Sequence, residues 1–419
     1  MTRAGNQRRV IGSEHIAQAR QRGRVVFEVL PGDIVTTLAL ETAQRLGVEL
    51  LDGPLEKPNH VRTDGNTAMR RSLYRRSPKW IAPDHVKKQK AGRFTKIAIV
   101  GAGGVGANIA HLVANNDIAR EVALIDIAPG LAESIALDLN HAAGITRTTT
   151  AVTGGADLNL VGDASVIIVT AGRARTPGMS RSDLIEVNKR VIHSVGETIK
   201  TRAPDSVVIV VTNPLDEMTL EMLKVTGFPR QRVLGMAGTL DSSRFRYAIA
   251  SAAGVKTSDV EAIALGSHGD EMVPVTSLAR IKGRAIDTFL TSDQIQACVM
   301  DAITGGGQVV ALKKTGSATI APAHSSVELL DYMRGRKTGP VPVSVMLEGE
   351  FGLSDVVLGV PAHVGMSGFL QTEPLRLSAV EHDLLHDAAT AIRERLGIEN
   401  KGIENKGIGN TEAANGITA

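Results

Sequence analysis

Cysteine is nearly missing from this 419-residue chain, where Cys298 stands alone. One thiol can form neither an intrachain disulfide nor a cysteine-cluster metal site. The scarcity suits a reducing compartment, so a cytoplasmic protein without a bound metal is expected. Aromatic residues make up only 3% of the chain, which leaves no stacking platform for single-stranded nucleic acid. No surplus of charge exists either, since 47 Lys and Arg face 44 Asp and Glu for a formal net charge of +3. No apolar run reaches the roughly 18 residues that suggest a membrane span, and the first residues lack the apolar core of a secretion signal. Neither a nucleic-acid partner nor a membrane is therefore expected. The start does carry Arg3, Arg8, Arg9, Arg20, Arg22 and Arg24 against Glu14. That composition is shared by organelle transit peptides, so organelle import stands as an alternative to the cytoplasm.

What is present is ordinary globular material, 43% hydrophobic and 22% charged, in a chain long enough for two or three domains. Residues 1–53 read as a small α/β module. "GSEHIAQARQRG" is a helix with Ser13 as N-cap, "RVVFEVL" a strand, "PGD" a turn, "TTLALETAQRLG" a helix stopped by Gly47, and "VELL" a strand. Residues 54–92, with "AMRRSLYRRSPKW" at their centre, read as a basic linker or arm. From Lys96 the runs "KIAIV", "EVALID", "SVIIVTAG" and "SVVIVVTNP" are continuous rather than alternating. Such runs suit strands buried on both faces of a parallel sheet, and the helical patterns between them complete a βαβ series over 93–235. Residues 236–397 alternate more and predict antiparallel strands with helices. A last helix follows Ser378, with a Ser378/Glu381 capping box and an apolar stripe of Val380, Leu384, Ala388, Ile392 and Leu396, ending at Gly397. The repeat "IENKGIENKGIGN" within 398–419 has no face to bury and reads as a disordered tail.

The first strand of the βαβ series runs into Gly101-x-Gly103-x-x-Gly106 and an apolar helix. In that context Gly101 makes a tight turn, Gly103 lets the backbone approach a pyrophosphate, and Gly106 lets helix and strand pack closely. The second strand ends in Asp126. A carboxylate there accepts hydrogen bonds from a ribose diol and repels a 2′-phosphate, so NAD is expected rather than NADP. The plain alternative is an ordinary βα turn followed by a surface Asp.

Further motifs follow in order: "AGRARTPGMSRSDL" (171–184), "VTNPLD" (211–216), "GTLDSSRFR" (238–246) and "GSHGDEMVPV" (266–275). Together with the glycine turn they resemble the lactate/malate dehydrogenase family over about residues 95–397. Within it, "AR-x-PGM-x-R" is similar to malate dehydrogenases of the lactate-dehydrogenase-like type. The resemblance implies a Rossmann parallel sheet followed by an α+β substrate domain, preceded here by the small α/β module. It also implies reversible hydride transfer between NAD and malate or oxaloacetate in a homo-oligomer, a dimer or a tetramer. His268 would be the acid–base group, held by Asp241, since imidazole titrates near working pH and a buried carboxylate stabilises its cation. Arg244 would grip the C1 carboxylate in a bidentate fork. Arg181 would polarise the C2 oxygen. Arg175 would pair with the distal carboxylate, and Asn213 would orient substrate beside the nicotinamide. Asn188 and Asn213 join Gly101, Gly103, Gly106 and Asp126 in the implied cofactor set. Two anions on a dicarboxylate explain two of the three arginines crowded after "SVIIVT", and Arg173 is left as solvated surface.

Three positions depart from the family pattern. Thr176 replaces a common lysine, Ser267 a common glycine and Glu271 a common threonine. Glu271 brings negative charge towards a site meant for a dianion, which would weaken binding or select an unusual 2-hydroxy acid. Residues 1–92 lie outside the family pattern. "LPGDIVTTLALETAQRLGVELL" is similar to a short L-P-x-G-x-x-V-T-x-x-A segment of some bacterial metabolic and microcompartment-associated proteins, which suggests a docking module, with an inert appendage as the alternative. Two other readings of the whole chain stand beside malate dehydrogenase: a dehydrogenase for another, lactate-like 2-hydroxy acid, and a non-catalytic scaffold recruited by its arm.

Overall fold

The computed structural model describes residues 9–30, 33–52, 91–173, 181–314 and 316–398. The chain divides into two compact units, Met1–Lys88 and Gln89–Ala419. The basic linker reading, the Pro31–Gly32 turn, Arg175, Thr176 and the tail from residue 399 onward lie outside the described residues.

In the first unit β1 (Val10–Ile11), α1 (Ser13–Gln21) and β2 (Val26–Val29) are followed by β3 (Ile34–Val35), α2 (Thr37–Leu46) and β4 (Glu49–Asp52). Strand β1 pairs with β3 and β2 with β4, both in parallel. Their core is Ile11, Ile16, Val29, Ala39, Ala43 and Val48. Two details differ from the sequence reading. Gly12, not Ser13, is the N-cap of α1, because His15 Nδ1 accepts the Gly12 N–H at 3.0 Å. Strands β1 and β3 went unread because two residues are too few to show a period. Helix α2 is capped by Thr36, whose hydroxyl accepts the Ala39 N–H, and closed by Gly47 at φ 61°.

The second unit is built on one sheet of 11 strands. Its parallel part comprises β5 (Phe94–Val100), β6 (Ala119–Ile125), β7 (Ala151–Gly155), β8 (Val166–Val169), β9 (Val207–Val210) and β10 (Val233–Gly235). Helices α3 (Gly104–Asn115), α4 (Leu131–Thr146), α5 (Arg181–Arg202) and α6 (Leu215–Thr226) connect them. The order β7-β6-β5-β8-β9-β10 reverses between β5 and β8, the switch point of a Rossmann sheet. Ile97, Ile99, Val166 and Ile168 enter one core, while Ala98, Val100, Ile167 and Val169 enter the other. Burial on both faces is why these runs are unbroken rather than alternating.

Beyond β10 come α7 (Gly238–Ala253), β11 (Val260–Glu261), β12 (Ala264–Gly266), β13 (Met272–Pro274), β14 (Arg280–Ile281) and β15 (Arg284–Ala285). They are followed by α8 (Ser292–Lys313), α9 (Ile320–Met333), β16 (Val341–Glu348), β17 (Ser354–Gly365), β18 (Gly368–Thr372) and α10 (Ala379–Leu396). Strand β16 pairs antiparallel with β10, and β17, β12 and β13 continue the same sheet, with β18 also on β17. Strands β11, β14 and β15 form a separate small sheet. The antiparallel strands expected in the second half are there, yet they extend the first sheet rather than start a new one.

Two helices correct the sequence reading. Helix α8 is long and apolar enough to cross a membrane by length and composition, at a mean hydropathy of 1.3. Scattered polar residues hid it from a search for unbroken runs. It packs in the core of α7 through Cys298 and Ala302. In α10 the Ser378/Glu381 box and the Gly397 cap form as read, but Val380 and Leu384 are exposed. The buried stripe is Glu381, Leu385, Ala388, Ala389 and Ile392. One carboxylate sits in it because Ser277 and Ser378 hydrogen-bond it.

Candidate active site

The glycine turn lies at the switch point. Gly101 has φ +106°, and a Cβ there would meet Thr170 Oγ1 at 2.6 Å. At Gly106 a Cβ would fall 1.8 Å from the Gly101 carbonyl oxygen. At Gly103, the N-cap of α3, it would meet nothing within 4 Å. Two glycines therefore allow backbone contact, while the third faces open space at a helix start that no side chain caps. The first N–H groups of such a helix are free for an anion. Asp126, one residue past β6, accepts the N–H of Ala102 at 2.6 Å and of Ala128 at 2.9 Å. Its carboxylate, Gly101 and Gly103 border a cavity of about 690 Å³. An apolar-walled space with a carboxylate at its rim and helix N–H groups beside it fits a dinucleotide.

A second cavity of about 380 Å³ is bordered by Arg173, Asn213, Arg244, His268, Gly306 and Val310 among others. His268 lies between β12 and β13. Asp241 and Arg244 lie one turn apart on α7. The Ser242 hydroxyl accepts the Ala264 N–H at 2.9 Å, which lays α7 on β12 and brings Asp241 to the histidine. His268 Nδ1 is then 2.8 Å from Asp241 Oδ2, and Arg244 Nη1 is 3.2 Å from Oδ1 of the same buried carboxylate. Burial pushes the His268 pKa down, but the charge and hydrogen bond of Asp241 outweigh it, so the imidazolium is favoured beyond its ordinary range.

Asn213 borders the substrate-sized cavity. Asn188, expected in the cofactor set, is not among the residues bordering either cavity. It is fully buried. Its Oδ1 accepts the Arg173 N–H at 2.7 Å, while its Nδ2 donates to the carbonyls of Arg173 and Asn213 at 3.1 and 2.6 Å. With its amide spent on backbone, Asn188 ties together two loops rather than touching a ligand. Arg173, expected as plain surface, is exposed but borders both cavities. Arg181 is the first residue of α5, and its side chain lies outside what is described.

The structure adds residues that sequence reasoning missed. Asp216 is buried, accepts the His268 backbone N–H at 2.9 Å and takes a hydrogen bond from Ser344 Oγ at 2.8 Å. Burial, then the neighbouring charge of Glu217, push its pKa up to about 6. Its place in "VTNPLD" was visible, but its partners were not. Glu271, expected to bring charge towards substrate, instead receives Arg395 Nη1 at 2.8 Å.

Residues 95–235 match the family model described as lactate/malate dehydrogenase, NAD binding domain, and residues 238–400 match its alpha/beta C-terminal domain. The chain belongs to the lactate/malate dehydrogenase family. It is an NAD-dependent oxidoreductase with an N-terminal extension that the family models do not reach. Malate dehydrogenase 1 of Anaeromyxobacter dehalogenans is 42% identical over 302 residues, covering 71% of this chain and 96% of the relative. Malate dehydrogenase of Chloroherpeton thalassium is 39% identical over 299 residues, covering 71% and 96%. The crystal structure of Cryptosporidium parvum malate dehydrogenase aligns with a TM-score of 0.70 at 36% identity, over 73% of this chain and 98% of that one. The lactate dehydrogenase of the same organism, complexed with lactic acid and NAD, aligns with a TM-score of 0.70 at 36% identity, over 73% and 97%.

Proposed function

We propose that this dehydrogenase interconverts malate and oxaloacetate, with His268 moving the hydroxyl proton. The observation that carries the reading is the 2.8 Å contact between His268 Nδ1 and the buried Asp241 carboxylate at the wall of the smaller cavity. With Nδ1–H donated to Asp241, Nε2 is left to accept the proton of a substrate hydroxyl. Asp241 then faces the imidazolium it has helped to form. NAD, when bound, supplies the hydride acceptor for the same carbon. Arg244 remains bonded to Asp241 through one nitrogen and offers the rest of its fork to the C1 carboxylate. Arg181 polarises the C2 oxygen, Asn213 orients the substrate, and Arg175 binds the distal carboxylate. Asp126 takes the ribose diol. The "AR-x-PGM-x-R" pattern and relatives named malate dehydrogenase support the dicarboxylate.

A lactate-like activity is the second reading, because malate and lactate dehydrogenases of one organism resemble this chain equally in fold and identity. Assaying NADH oxidation with oxaloacetate, pyruvate and longer 2-oxo acids side by side separates the two. Oxaloacetate should give the highest kcat/KM, and preference for pyruvate would overturn the proposal. A homo-oligomer, dimer or tetramer, is part of the same reading. It is supported by α4, which exposes Leu131, Leu137 and Ile145. Light scattering of the purified chain tests it, and a monomer would refute it.

A further inference from the structure

Ser267 and Glu271, two of the three departures from the family pattern, converge on one side chain. Arg395, in the last turn of α10, donates from Nη1 to Glu271 Oε1 at 2.8 Å and from Nη2 towards Ser267 Oγ at 3.5 Å. Its Nε donates to Glu217 Oε1 at 2.7 Å, and the Glu217 carboxylate is 1% exposed. Ser267 and Glu271 bracket His268 in the chain. We propose that Arg395 is a positioning residue of the dehydrogenase, an ionic tie that fixes the 267–271 loop and tunes the proton equilibrium of His268.

The tie has a second arm. Asp216 and Glu217 are consecutive residues in the first turn of α6. Asp216 holds the loop directly through the His268 N–H, and Glu217 holds it through Arg395. The other end of α10 is also anchored, since Glu381 accepts the N–H and hydroxyl of Ser277. Fourteen residues of helix, ~21 Å, thus separate two anchors on either side of β13, and the His268 loop lies next to one of them. A side chain held at both ends of its loop stays near its productive geometry, where small displacements are costly.

Charge gives the tie its second effect. Asp241 and Arg244 face His268 from α7 and Asp216 from α6; Glu217 follows Asp216, Asp270 and Glu271 lie in the histidine's own loop, and Arg395 of α10 joins Glu217 to Glu271. Glu217, Glu271 and Arg395 together carry one net negative charge. Removing the cation leaves two, which favours the imidazolium. Removing Glu271 leaves none, which disfavours it.

The proposal rests on His268 as the proton-transfer group, so His268→Asn is measured beside the other variants. In the full-length enzyme Arg395→Met should lower kcat for oxaloacetate reduction by about ten- to a hundredfold. NADH affinity, read by fluorescence titration, should stay unchanged. The alkaline limb of the reduction profile should move up in Arg395→Met and down in Glu271→Thr, and return near its original position in the double variant. Arg395→Lys should recover part of kcat. Glu271→Thr keeps the Arg395–Glu217 pair, so its downward shift tests the idea even if Arg395→Met does not fold. Wild-type kcat and limb in Arg395→Met, or limbs that move in the same direction in both single variants, would overturn it. If His268→Asn retained turnover, the assignment of the proton-transfer group would fail instead.

Discussion

The glycine turn and the carboxylate expected at the ribose come from one stretch of chain: β5, the turn, the start of α3, and β6 with Asp126 just beyond its end. The side proposed to transfer the proton gathers Asp216, Asp241, His268, Ser344 and Arg395 from five separate segments. Ser344 lies 128 residues from Asp216, and Arg395 lies 178 residues from Glu217. A phosphate cradle needs backbone shape, which a short run with glycines at fixed spacing supplies. Proton transfer needs a buried charge balance, and only tertiary packing can collect those charges.

The sharpest way to break this comparison is at His268. His268→Asn should lose roughly 10²–10⁴-fold in turnover while NADH still binds, since the proposed general acid–base group is removed and the glycine turn is untouched. The pH profile sharpens the point. Burial works against the imidazolium but Asp241 outweighs it, so the pKa stands above the ordinary value. Reduction consumes the imidazolium and should therefore persist to higher pH than an ordinary imidazole allows. Asp241→Asn removes both the charge and the charged acceptor, and its alkaline limb should move down. An unmoved limb in stopped-flow or steady-state profiles would separate Asp241 from the titration.

Next in size is Arg175→Gln. An unpaired carboxylate in a closed site costs about 3–5 kcal/mol, so kcat/KM for oxaloacetate should fall by about two to three orders of magnitude. Pyruvate should lose little. Equal losses in Arg173→Gln would mean that the loop acts as a general positive field.

These two tests fall on residues of different legibility. His268, Asp241 and the glycine turn stood out because each carries chemistry in a short pattern, and the structure brings His268 and Asp241 to 2.8 Å. The parallel strands were readable because both faces are buried. The backbone partners of Asn188 could not be read from the sequence, because only the fold brings the loops at Arg173 and Asn213 to its amide. The partner of Glu271 was hidden because it sits on the last helix, 124 residues away. The two-residue strands of the first unit lay below any periodic signal.

A smaller effect is expected on the nucleotide side. Asp126→Ser removes a charged acceptor worth about 1.5–3 kcal/mol, so the ratio of NADH to NADPH efficiency should drop roughly ten- to a hundredfold. Equal use of both cofactors by the unaltered enzyme would dismiss the ribose assignment. The smallest effect is assigned to the first unit. It has a core of its own, and the family models begin only at residue 95, so deleting residues 1–88 should leave kcat within about twofold. Insoluble or inactive protein would show that the extension completes the enzyme.

Strand β10 hydrogen-bonds to β9 on one edge and to β16 on the other, with Gly235 opposite Ser344. The residues matched to the NAD binding domain and those matched to the C-terminal domain therefore share one backbone ladder. Parting them along this line would break sheet hydrogen bonds. Helix α8 borders the smaller cavity at Gly306, and Gly305 and Gly306 lie against the Arg244 side chain. Glycine weakens a helix by about 1 kcal/mol relative to alanine, and three follow one another at Gly305, Gly306 and Gly307. A turn of helix rich in glycine thus lies against the guanidinium proposed to hold the substrate carboxylate.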